Sequence, residues 1–104
     1  MSAGPFALVS ASAGRWVAQG PLTFATARGA RLLGMQAIGQ AAPAALEIDG
    51  SGITAADSAG LAVLLDWLAV AKRAGRRLRY TQLPQGLTAL AHISEVDALL
   101  ARGV

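Results

Sequence analysis

Cysteine is absent from the 104 residues. No disulfide framework and no cysteine-ligated metal can form, and a cytoplasmic location fits. Histidine occurs once, as His92. A Ser-His-Asp set can be assembled on paper from Ser58, His92 and Asp49, but the G-x-S-x-G turn that would expose such a serine is missing. Charged residues make up only 14% and aromatics 5%. No apolar run reaches the roughly 20 residues needed to cross a bilayer; the longest, Ala59 to Val70, is broken by Asp66. The start, Met1-Ser2-Ala3-Gly4-Pro5, lacks the basic and apolar regions of a signal peptide. The glycines of Asp49-Gly50-Ser51-Gly52 are followed neither by Gly-Lys-Ser/Thr nor by further oxygen ligands at calcium-loop spacing. No metal and no cofactor is expected.

What is present is apolar. Hydrophobic residues reach 54%, with a mean hydropathy of +0.47. At this length one domain spanning residues 1–104 is predicted, burying roughly two-thirds of its unfolded surface. Much of the excess is alanine, which predicts tight helix packing or a permanent partner. Net charge is +3 and the pI about 10.7. Most of that charge sits in Lys72-Arg73-Ala74-Gly75-Arg76-Arg77-Leu78-Arg79. Local structure accounts for the cluster. Lys72 and Arg73 suit the last turn of a helix, Gly75 its C-cap, and Arg77 and Arg79 the outward positions of a strand. No aromatic interleaves before Tyr80, so a stacking platform for single-stranded nucleic acid is not indicated.

Phe6 to Ala11 and Arg15 to Gln19 read as a hairpin ended by Gly20-Pro21. Thr23 is the expected cap of a helix to about Gln40, weakened by Gly29, Gly34 and Gly39 and stopped by Pro43. Ala44 to Ile48 reads as a buried strand, followed by a small-residue loop. Ser58 to Ala74 is the clearest helix, with Leu61, Leu64, Leu65 and Leu68 at i, i+3, i+4, i+7. Arg77 to Gln82 reads as a strand, and Pro84 opens a helix to about His92 with Leu87, Leu90 and Ala91 inward. Ser94-Glu95-Val96-Asp97 has the form of a capping box for a last helix, Glu95 to Leu100. Trp16 and Phe24 are expected in the core. The order β-β-α-β-α-β-α-α predicts an α/β (α+β) domain: a mixed four-stranded sheet with helices mainly on one face.

On a helical wheel Ala59, Val63, Trp67 and Val70 gather opposite the leucines, flanked by Asp66 and Arg73. A helix on a sheet should be polar there. Tryptophan is enriched at interface hot spots, so this stripe is a candidate docking surface; the alternative is that another helix of the domain covers Trp67. Asp57-Ser58 opens the same helix. Either residue can cap it, and a hydroxyl at a positive helix end is also placed to accept a phosphate or anchor a partner.

Asp57-Ser58-Ala59-Gly60-Leu61 resembles the D-[ST]-x-G-L signature of the STAS family, small cytosolic modules named for sulfate transporters and anti-sigma factor antagonists. The element order is similar over nearly the whole chain. Ala62 to Gly75, Gly20 to Thr26 and Leu83 to Leu100 resemble the MlaB branch most closely. The resemblance implies a non-catalytic subunit that docks on the ATPase (MlaF-like) of an inner-membrane ABC phospholipid transporter maintaining outer-membrane lipid asymmetry. The protein would then be cytoplasmic, peripheral to the inner membrane through its partner. It also implies that Ser58 carries the family's functional hydroxyl and Asp57 its preceding acid. Many relatives of that branch have threonine at the Ser58 position. Serine is typical of antagonists, where a kinase phosphorylates it, so phosphorylation of Ser58 in an anti-sigma factor antagonist is the alternative. Antagonists usually carry a second serine where this chain has Ala59. The docking candidates are Asp57, Ser58, Ala59, Val63, Trp67 and Val70.

Overall fold

Leu46 and Ile48 alternate with Glu47 and Asp49 along the third strand, and this alternation sorts the sheet into two faces. The computed structural model describes residues 5–40 and 44–104. Strands β1 (Ala7–Ser12) and β2 (Arg15–Leu22) form the hairpin, turning at Gly14. Helix α1 spans Ala27–Gln40, β3 Ala45–Ala56, α2 Ser58–Arg73, β4 Arg77–Thr81, α3 Gln85–Ile93 and α4 Asp97–Arg102. The sheet order is β1-β2-β3-β4, antiparallel for the first pair and parallel for the other two. Leu46, Ile48, Leu78 and Tyr80 face the helices and are buried with Leu61, Leu64, Leu68, Leu87 and Ala91. The Tyr80 hydroxyl donates to the Leu64 carbonyl of α2 at 2.6 Å. The other face carries Arg15, which pairs with Glu47 at 2.9 Å and Asp49 at 3.2 Å, and Arg79, 3.5 Å from Glu47. The architecture is the predicted mixed four-stranded sheet with helices on one side.

Three boundaries differ from expectation for a local reason, the starts of α1 and α4 and the end of β3. Helix α1 begins at Ala27, not Thr23. The Thr26 hydroxyl accepts from the Thr23 N–H at 3.0 Å and donates to the Pro21 carbonyl at 2.8 Å, which folds residues 23–26 into a turn. Strand β3 runs through the predicted small-residue loop to Ala56. It follows β2 with shifts in register, and Gly52 allows the approach: a Cβ there would lie 2.6 Å from the Ala18 carbonyl oxygen. Helix α2 ends as expected, with the Gly75 N–H donating to Lys72 O and the Arg76 N–H to Ala71 O. Helix α3 ends the same way, with Glu95 at φ +61 in the glycine position and the Val96 N–H on Ala91 O. Ser94 is thereby spent as the C-cap of α3. The capping box does not form, and α4 starts at Asp97 without a side-chain cap. The predicted helix stop at Pro43 and the first four residues lie outside the described residues.

Candidate functional site

The apolar stripe on α2 is not a surface. Trp67 is 0% and Val63 3% exposed. Val70 is half-buried against the core, and Ala59 is half-buried at the helix start. Helix α1 lies over them, and Gly34 is why it can. The indole ring occupies the space that a Cβ at Gly34 would fill. The Trp67 Nε1–H donates to the Arg31 carbonyl at 3.2 Å, and the Phe6 ring tilts against the indole with centroids 6.1 Å apart. Beside it, Arg31 Nε meets Asp66 Oδ2 at 3.0 Å. The expectation that Val63 and Trp67 present a docking stripe is therefore corrected: folding covers both sides of α2, the leucines with the sheet and the second stripe with α1.

The surface that remains on α2 runs along the helix from Ser58 at its N-terminal end. Ser58, Ala62, Asp66 and Ala69 are exposed along it. Next to the helix start stands Phe24, 85% exposed and thus not the core residue predicted. Trp16 does pack against the core. Asp57 joins the two exposed residues. Its Oδ1 accepts from the Ala59 and Gly60 N–H groups at 2.9 and 3.1 Å, capping α2. Its Oδ2 accepts from the Phe24 N–H at 3.0 Å, pinning the β2–α1 turn to the same helix end. Ser58 follows immediately, its backbone in the helix and its residue surface open. Phe24 was hidden from sequence reasoning because an isolated aromatic is most simply a core residue. Its setting between Thr23 and Ala25-Thr26, in a turn rather than a periodic element, was the signal available.

The Phe24 N–H, followed by that of Gly60, holds the Asp57 carboxyl below its ordinary value of 3.8. A carboxyl depressed by folding contributes stability that is complete above pH 3.8 and gone once the pH has fallen through the folded value. Asp57→Asn is expected to lower the melting temperature at neutral pH and to melt with a shallower loss between about pH 5 and 2. Thermal melts across that range measure it, and an unchanged acid limb would argue against the carboxylate's role.

The other polar candidates have separate partners. Asp49 accepts from the Ser51 N–H at 2.8 Å, which is the main cause of its lowered pKa, and from Arg15. His92 Nδ1 lies 3.1 Å from Asp97 Oδ2 at the α3–α4 corner. Neither reaches Ser58. Among the described residues no three histidine, cysteine, aspartate or glutamate side chains gather as a metal site.

The family profile described as Mlab, STAS domain matches residues 8–101. Sequence comparison finds no match among curated proteins. Among solved structures the chain is similar to the anti-sigma factor antagonist SpoIIAA in its unphosphorylated form. The TM-score is 0.69, over 89% of this chain and 83% of that one, at 17% identity. At that identity the likeness is one of fold.

Proposed function

Since the chain belongs to the STAS domain family, we propose that it is a non-catalytic regulatory module that docks on the ATPase subunit of an ABC phospholipid transporter. It would work on the cytoplasmic side of the inner membrane and reach that membrane through its partner; among the described residues no helix is long and apolar enough to cross one. The observation that carries the reading is the pairing of Phe24 and Ser58 on one end of the domain, held together by Asp57. An exposed rigid aromatic beside small residues and a hydroxyl is the make-up of an interface hot spot with a polar anchor. The family profile's description favours the transporter branch.

Placing a carboxylate at Ser58 would force a charge into a contact that must lose water. Ser58→Glu is expected to abolish co-purification with the ATPase subunit while the domain stays folded. Full co-purification of that variant would remove this surface from the proposal. Ser58, an exposed residue with a hydroxyl at a positive helix end, also supports the second reading, an antagonist switched by a phosphate there. Intact mass after incubation with a cognate kinase separates the two: a gain of one phosphate on Ser58 speaks for the switch.

A further inference from the structure

Helix α2 carries the docking end at Ser58 and finishes about 22 Å away. The far end of the molecule has a different character. Lys72 and Arg73 close α2, Arg76 follows in the turn, Arg77 and Arg79 lie on β4, Arg102 ends α4 and Arg15 begins β2. Seven of the nine lysines and arginines thus share one end. The topology collects them. β2, β3 and β4 run parallel and so begin at the same end. The chain after α4 returns there too, where the Val104 N–H donates to the Leu78 carbonyl at 3.0 Å. Arg15, Arg77, Arg79 and Arg102 line a cleft of about 720 Å³ at this end.

The acids present do not neutralise it. Glu47 is shared between Arg15 and Arg79, and Arg15 also holds Asp49. Among the described residues Arg77 and Arg102 have no ion-pair partner. The exposed large apolar residues, Val9, Phe24, Leu32, Leu33 and Ile93, do not line the cleft. A protein partner would need apolar anchors at the interface centre, and single-stranded nucleic acid would need exposed aromatics to stack on. A broad, net-positive end of long flexible cations without either, with Glu47 among the cleft residues already bound by Arg15 and Arg79, fits a planar polyanion.

We propose that this end adsorbs to an anionic phospholipid surface, with a headgroup phosphate seated in the arginine-lined cleft. The inference stands on charge placement alone and leaves the Ser58–Phe24 end free for a protein partner. The test is co-sedimentation of the full chain with vesicles of phosphatidylcholine, with and without about a third phosphatidylglycerol. Partition onto the anionic vesicles only is expected, falling steeply between about 0.1 and 0.5 M salt. Each cation at such a surface is worth about fivefold. The double variant Arg77→Glu, Arg102→Glu should lose about a hundredfold or more. A double variant of equal net charge, Arg28→Glu with Arg31→Glu on α1, should keep most of its binding. Circular dichroism melts confirm that both fold. Equal partition onto neutral vesicles overturns the proposal, as does an equal loss in the two double variants. Binding to a duplex oligonucleotide without vesicle partition would do the same and assign this end to nucleic acid.

Discussion

Trp67→Ala is expected to destabilise the isolated domain by about 3–5 kcal/mol, the range for truncating a large buried aromatic. The ring is sealed between α1, α2 and Phe6, and Gly34 leaves no side chain that could move in to fill the cavity. The Arg31 carbonyl also loses its indole donor. For a domain of this size the melting temperature should fall by about 15 °C or more. Native stability totals only about 5–15 kcal/mol, so the variant should stand near the edge of folding. Urea and thermal melts without any partner measure the effect. A melting temperature within a few degrees of the parent would mean that α1 does not close over the ring. Any failure of this variant to bind a partner would report lost folding rather than a lost contact.

Phe24→Ala should behave in the opposite way. At 85% exposure the ring contributes little to the fold, and stability should stay within about 0.5 kcal/mol of the parent. If the Ser58 end docks on an ATPase as proposed, removing the ring should weaken binding by about 2 kcal/mol, roughly thirtyfold in Kd. Titration of the purified subunit against both proteins decides it. An unchanged Kd with a native melt would move the interface away from the β2–α1 turn. The two aromatics thus separate the two kinds of effect, one on folding and one on recognition.

That assignment reverses the reading of the same two residues in the sequence, and the reason is physical. The leucines of α2 were legible because three of the four fall on one buried face, Leu65 alone being half-covered. The second stripe was legible as apolar, but periodicity along one helix says nothing about what covers its far side. The deciding residue, Gly34, sits in another helix, where it reads as a weakness of that helix. Only the packed pair shows that the missing side chain makes room for the indole. An apolar stripe opposite a core face therefore does not by itself require a second molecule. The alanine-rich composition fits the tight helix packing that is seen. The helix start at Asp57-Ser58 was read correctly as a cap, whereas the bond from Asp57 to the Phe24 N–H joins residues 33 positions apart and leaves no local trace. The basic end was partly legible. Residues 72–79 are contiguous, but Arg15 and Arg102 join them only through the strand order and the return after α4. At α4 the failure was one of competition: the same serine could begin one helix or end another, and the C-terminal motif of α3 took it.

The two oxygens of Asp57 have a consequence for how Phe24 meets anything that binds it. Because one carboxylate grips both the turn and the first N–H groups of α2, the aromatic is mounted on a preorganised platform. Binding there surrenders little backbone entropy, and the contact area is available in full at first encounter.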